Sequence, residues 1–69
     1  MEIFTKRLKE LREEKKISQR QMAKNLGIFP NAYRNYETGA AEPTQQMLVK
    51  IARFFGVTVD YLLGENDVG

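Results

Sequence analysis

The chain has 69 residues, the length of one small domain, and so short a chain leaves little room for a catalytic cleft. It contains no Cys and no His, which excludes disulfides, thiolate zinc sites and histidine-based catalysis. Its net charge is only +2, but residues 1–37 hold nine Lys or Arg against five Glu, which indicates either an anionic partner on that side or a well-solvated helix surface.

The first predicted helix covers residues 2–16, because Phe4, Leu8 and Leu11 recur at helical spacing in a segment that is otherwise charged. Arg12 comes four residues after Leu8 and therefore falls on the same apolar stripe. An unpaired charge on the buried side of a helix is heavily penalised. We therefore expect Arg12 to have an acidic partner on another helix.

The second predicted helix covers residues 19–26 and has a favourable signal at each end. Ser18 is a good N-cap, and Gly27 suits the left-handed conformation that commonly ends a helix. Gln19 and Arg20 open this helix, where free backbone N–H groups and the helix dipole attract a phosphate.

The third predicted helix covers residues 30–37, and Pro30 suits its first position because the missing N–H costs nothing there. Glu37 follows Tyr33 by four residues, so both are expected on the inner face of this helix. We predict that Glu37 pairs with Arg12 and clamps the first helix to the end of the third. The alternative is that both charges reach solvent at the helix ends.

The opposite stripe of the third helix is polar and carries groups that can read DNA. An Asn side chain can form two hydrogen bonds with adenine, and an Arg side chain can form two with guanine. We therefore predict that base edges in a major groove are read by Asn31, Arg34 and Asn35. The predicted phosphate contacts are Gln19, Arg20, Lys24 and Thr38. Taken singly, each of these side chains is also what an ordinary solvated helix face carries.

Two more short helices are predicted over residues 45–55 and 59–63, the first capped by Thr44. Five short helices with short connections predict an all-α, compact bundle over residues 1–64, followed by a flexible tail at residues 65–69. Candidate dimer contacts near the last helices are Phe54, Val59 and Tyr61. The alternative for these three is partial burial in the core of the monomer.

Residues 18–39, SQRQMAKNLGIFPNAYRNYETG, resemble the helix-turn-helix of the phage repressor/Cro (XRE-type) regulators. Residues 8–12, LKELR, and residues 56–64, GVTVDYLLG, resemble the first and last helices of that family, so the resemblance covers about residues 4–64. Several positions agree with the family at once. They are the small residue where the second and third helices cross, the glycine of the turn and the two members of the family's salt bridge: Ala23, Gly27, Arg12 and Glu37.

The resemblance implies a lambda-repressor-like DNA-binding domain that binds a palindromic operator as a homodimer, with Gln19 on a phosphate and the start of the third helix on bases. The chain departs from the family at Phe29, where a Ser or Thr cap is usual, and at Pro30, where a base-reading side chain such as Gln is common. Proline cannot hydrogen-bond there, so base reading should move further along the helix. The loop after the helix lacks the usual Lys or Arg, which should weaken the salt dependence of binding.

We therefore expect a sequence-specific transcriptional regulator, with repression as the expected mode. The alternative is a protein-interaction module, such as an antitoxin or anti-repressor, on the same fold. No enzyme is expected, because no nucleophile has a base and no phosphate-binding glycine loop or metal spacing is present; Glu10, Glu13 and Glu14 are interpreted as ion-pair partners on a charged surface. No cofactor, metal, small-molecule ligand or membrane segment is expected, and a cytoplasmic location follows.

Overall fold

The computed structural model describes residues 2–65, and that part of the chain forms five α-helices and no β-strand. The all-α five-helix bundle predicted from the sequence is confirmed. The helices, in chain order, are α1 Glu2–Glu14, α2 Gln19–Leu26, α3 Pro30–Thr38, α4 Gln45–Phe55 and α5 Val59–Leu63. The flexible tail predicted for residues 65–69 lies outside the described residues, apart from Glu65.

Two helix ends differ from the sequence prediction. α1 ends at Glu14 rather than at residue 16, because Lys16 takes the left-handed conformation with φ 57°. This early end turns the chain so that Ile17 packs against the core. α3 continues for one residue beyond the prediction, to Thr38, and Gly39 ends it with an N–H donated to the Asn35 carbonyl at 3.0 Å.

Short polar side chains begin three of the helices. Ser18 forms a capping box at α2, because its hydroxyl accepts the Gln21 N–H and the Gln21 side chain accepts the Ser18 N–H, both at 3.0 Å. Thr44 accepts the Met47 N–H at 3.1 Å at the start of α4. Thr58 caps α5 in the same way. These caps satisfy backbone donors that a helix leaves free at its start, and they fix where each helix begins.

The core lies where the inner faces of the five helices meet, and α2 and α3 pack on each other most extensively. The largest fully buried side chain in this core is that of Tyr33 on α3. The other buried apolar residues are Phe4, Leu8, Met22, Ala23, Leu26, Leu48, Ile51, Ala52 and Leu62. Burying the inner face of α3 in this way leaves its opposite face to solvent, and that face carries the candidate site.

Candidate nucleic-acid interface

The turn between α2 and α3 is fixed by backbone geometry and by close packing. Ala23 is fully buried, and its small side chain allows the two helices to pack closely at this point. Gly27 adopts φ 74° and donates its N–H to the Lys24 carbonyl at 3.1 Å, which ends α2. The Lys50 amine of α4 donates to the Leu26 carbonyl at 2.7 Å, and this contact between distant parts of the chain was not predicted from the sequence.

The structure brings Arg12 and Glu37 together in a two-point ion pair. The Nε of Arg12 donates to Oε2 of Glu37 at 2.6 Å, and Nη2 donates to Oε1 at 3.2 Å. The side chains are 12% and 3% exposed, so the pair does not reach solvent at the helix ends. Arg12 also donates from Nη1 to the Ile17 carbonyl at 2.8 Å, which ties the α1–α2 loop to the same guanidinium.

Two more donors converge on the Glu37 carboxylate. Gln19 donates from Nε2 to Oε1 at 2.9 Å, and the Tyr33 hydroxyl donates to Oε2. The Tyr33 hydroxyl thus has a partner, which a buried phenol requires. The Gln19 contact was not foreseen, since the sequence indicated only its position at the start of α2. The four side chains Arg12, Gln19, Tyr33 and Glu37, hereafter the Glu37 network, hold α1, α2 and α3 in one arrangement.

The electrostatics of the Glu37 network favour its charged form. Burial raises the pKa of the Glu37 carboxyl, but hydrogen bonds from Arg12, Tyr33 and Gln19 outweigh burial and hold that pKa below its usual value. The hydrogen bond to Glu37 raises the pKa of Arg12. Burial, together with the neighbouring carboxylate, raises the pKa of the Tyr33 hydroxyl. At neutral pH the network therefore holds a carboxylate, a guanidinium and a neutral phenol.

The predicted base-reading residues Asn31, Arg34 and Asn35 all lie exposed on the outward face of α3. Thr38 is exposed at the end of the same stripe, where its hydroxyl donates to the Asn35 carbonyl and accepts the Ala40 N–H, each at 3.3 Å. The stripe therefore presents two amides and a guanidinium to solvent, opposite the buried Tyr33.

The remaining predicted phosphate contacts lie on α2. Arg20 and Lys24 are exposed, whereas Gln19 is half-buried because its amide bonds to Glu37. An amide nitrogen carries two hydrogens, so Gln19 keeps one N–H that this bond does not use. The predicted phosphate contacts on α2, the helix that packs against α3, are thus two cations and one amide.

Phe29 is the N-cap of α3, and its ring is 83% exposed. It makes no side-chain capping bond, and Pro30 follows it at the first position of the helix. The sequence identified Phe29 as a departure from the family pattern but did not predict that its side chain points away from the core. Ile3 on α1, 47% exposed, is the other exposed large hydrophobic residue within residues 2–65.

The three candidate dimer residues are half-buried. Phe54 and Val59 pack against the core of the monomer, and the Phe54 ring meets the Phe55 ring edge-on at 5.0 Å between centroids. The Arg7 guanidinium lies 4.3 Å from the centre of the Tyr61 ring. Each of the three offers only part of its surface to a second molecule.

Other kinds of site find little support in the described part of the chain. Glu10, Glu13 and Glu14 line a surface depression on α1, but residues 2–65 contain no group of three or more Asp, Glu, His or Cys arranged to hold a metal ion. Among the same residues, no helix combines the length and apolar character needed to cross a membrane.

The sequence of this chain is similar to a known family and to several curated proteins. A family described as helix-turn-helix matches residues 8–62. The chain is 42% identical over 66 residues to an uncharacterised HTH-type transcriptional regulator of Bacillus subtilis, YqaE, covering 94% of this chain and 57% of YqaE. It is 29% identical over 65 residues to the cryptic phage CTXphi transcriptional repressor RstR of Vibrio cholerae, covering 94% of this chain and 59% of RstR.

A relative with a different kind of name is multiprotein-bridging factor 1 of Candida albicans, 40% identical over 61 residues, which covers 88% of this chain and 38% of that protein. The chain spans little more than half the length of YqaE and RstR. No solved structure gives a significant match.

Proposed function

Because this chain belongs to the helix-turn-helix family, of the phage repressor/Cro (XRE) type, we propose that it regulates transcription by binding specific sequences in double-stranded DNA. The observation that carries the proposal is the outward face of α3, where Asn31, Arg34 and Asn35 are all exposed. Their amide and guanidinium groups match the donor and acceptor patterns of adenine and guanine in the major groove. The names of YqaE, an HTH-type transcriptional regulator, and RstR, a transcriptional repressor, support the same function.

In the proposed complex, α3 lies in the major groove and α2 crosses the phosphate backbone beside it. Asn31 and Asn35 each form a two-point contact with adenine, and Arg34 donates twice to guanine. The burial of Tyr33 and Glu37 on the opposite face of α3 fixes the rotation of the helix about its own axis. A fixed rotation allows three side chains to meet successive base edges without a large entropic cost.

Phosphate contacts come from the ends of the same two helices. Arg20 and Lys24 neutralise phosphates from exposed positions on α2, and Gln19 uses the N–H that Glu37 does not take. To donate to a phosphate, the Thr38 hydroxyl must first give up its hydrogen bond to the Asn35 carbonyl. The Glu37 network holds the Gln19 side chain in place. We propose that the network thereby also sets the position of α2 along the phosphate backbone of the DNA.

We propose that the protein acts as a homodimer on a palindromic operator. One unit of this kind reads only a few base pairs, so useful specificity in a genome needs two half-sites. The proposed dimer contacts are the exposed parts of Phe54, Val59 and Tyr61 near α5. Repression is the proposed mode, by analogy with RstR, since a dimer bound over a promoter blocks access to it.

Selection of bound sites from random duplex DNA, repeated at two salt concentrations, tests these proposals together. The expected result is one palindromic consensus whose half-sites are about one helical turn apart. A consensus without symmetry would contradict the homodimer alone. Failure to enrich any sequence at either salt concentration would contradict sequence-specific binding itself.

A second candidate function is protein bridging, and two observations favour it. Phe29 exposes a large apolar surface, and one relative is named as a multiprotein-bridging factor. Under this function, Arg34→Ala and Asn35→Ala leave activity intact, whereas Phe29→Ala or Phe54→Ala abolishes it. Under the DNA-binding function, the two α3 changes reduce binding to the selected site.

A further inference from the structure

The Phe29 side chain takes no part in the hydrophobic core that the described residues form. Its neighbour Ile28 packs against the core, whereas the Phe29 ring is 83% exposed. A large apolar side chain held in water gains nothing from burial in the monomer, so the free energy of burying it is available to a contact with another molecule.

The backbone around Phe29 also shows that a polar residue would suit this position better for folding. Phe29 has φ −71° and ψ 150°, close to the values of the caps Ser18, Thr44 and Thr58. Each of those three side chains accepts a backbone N–H, and Phe29 cannot. Stability therefore does not explain an aromatic residue here, because Ser or Thr would cap the helix without a change of backbone.

The position of Phe29 relative to the outward face of α3 limits what it can meet. It immediately precedes Pro30 at the first position of the helix, and Asn31 opens the polar stripe one residue later. Residues at the start of a recognition helix approach the base edges most closely. The leading end of α3 is therefore apolar, with Phe29 and Pro30 side by side, just before the first amide.

The apolar feature that the major groove offers at a base edge is the C5-methyl group of thymine. Apolar wedges that unstack bases belong instead to minor-groove binders, and α3 is a helix of the width that the major groove admits. We propose that Phe29 packs against a thymine methyl group and so specifies thymine next to the base read by Asn31. This inference rests on the proposed DNA-binding function and adds to it a contact that uses no hydrogen bond.

The test replaces thymine by deoxyuridine, one position at a time, in the site selected by the wild-type protein. Uracil pairs as thymine does but lacks the methyl group, so only the apolar contact changes. At one position in each half-site, wild-type affinity should fall about fourfold, which is what burial of one methyl-sized group contributes.

The informative variant is Phe29→Ser, because serine supplies the missing cap and keeps α3 folded. We expect this variant to bind the thymine and uracil sites equally well. Ile3→Ala, which removes the other exposed large side chain, is the matched control and should keep the fourfold preference for thymine.

The outcomes separate this inference from the function on which it rests. If the wild-type protein selects no sequence, DNA reading fails and the inference fails with it. If it selects a site but binds thymine and uracil equally at every position, or if Phe29→Ser keeps the preference, only the inference is overturned. A Phe29→Ser variant that loses self-association, measured by sedimentation, while retaining thymine preference would overturn it in favour of a protein contact.

Discussion

At the scale of single residues, the Glu37 carboxylate determines how the first three helices meet. It is almost fully buried, yet it receives hydrogen bonds from Arg12 on α1, Gln19 on α2 and Tyr33 on its own helix. A buried charge is tolerated only when it is paired and hydrogen-bonded, and here three donors meet that condition. The spacing of charges in the sequence predicted the Arg12 contact. The Gln19 contact depends on how α2 packs on α3, which periodicity does not reveal.

The coupling between Arg12 and Glu37 is open to a double-mutant cycle. We expect the single changes Arg12→Gln and Glu37→Gln each to lower the free energy of unfolding in urea, and the double mutant to lose less than their sum. For contacting charges of this kind, the coupling free energy should be about 1 to 3 kcal/mol. Additive losses would mean that the ion pair does not clamp α1 to α3.

The lowered pKa of Glu37 gives a second prediction, for stability against pH. Because the folded-state pKa of Glu37 lies below its ordinary value of 4.5, the stabilisation is fully present above about pH 4.5. It is lost as the pH falls from there through the folded-state pKa, since protonation removes the charge that Arg12 binds. Wild-type unfolding free energy should therefore fall more steeply below pH 4 than that of Glu37→Gln. Parallel curves for the two proteins would contradict this prediction.

At the scale of helices, local signals in the sequence predicted most of the fold. Ser18 and Gly27 marked both ends of α2, and the apolar spacing in α4 gave its inner face. The end of α1 was predicted two residues late, because Lys15 and Lys16 are good helix formers and nothing local signals the turn. Contacts between residues far apart in the chain, such as Lys50 on the Leu26 carbonyl, depend on tertiary packing and leave no local signal.

The N-terminus of α3 lacks a side-chain cap, and a single substitution can supply one. Phe29→Ser should raise the free energy of unfolding by about 1 kcal/mol, because serine can accept a backbone N–H of the first turn while no buried surface is lost. Urea denaturation measures the change. Thr44→Ala, at a cap that is already satisfied, is the converse control and should lower stability by a similar amount. A destabilised Phe29→Ser variant would show that the phenyl ring has a structural role.

At the scale of the whole molecule, the distribution of charge matters more than its sum. Residues 1–37 hold most of the cations, while the α3–α4 loop, residues 39–44, contains no Lys or Arg and includes Glu42. The helices that carry the candidate site are therefore basic, and the loop that follows them is not. This charge distribution could be read from the sequence, whereas the outward orientation of Asn31, Arg34 and Asn35 depends on how α2 and α3 pack together.

This distribution predicts a shallow dependence of DNA binding on salt. Arg20 and Lys24 are the two candidate phosphate-binding cations in each subunit. For a dimer, the logarithm of the binding constant plotted against the logarithm of the salt concentration should therefore have a slope of about −4. Lys24→Gln should make the slope about two units shallower and weaken binding to all sequences alike. Arg53→Gln, on α4, is the control and should leave the slope unchanged. A wild-type slope near −8 would require about four phosphate-binding cations in each subunit, two more than Arg20 and Lys24.

If the outward face of α3 reads bases, removing the Arg34 guanidinium must change the base preference of the protein. Sites selected from random DNA by the wild-type protein, by Arg34→Ala and by Arg53→Ala should differ in one respect only. The Arg34 variant should lose its preference for guanine at a single position in each half-site, at a cost of about 1 to 3 kcal/mol, while the Arg53 variant keeps the wild-type consensus. An unchanged consensus for Arg34→Ala, or a uniform loss across all positions, would mean that this face of α3 does not read the sequence.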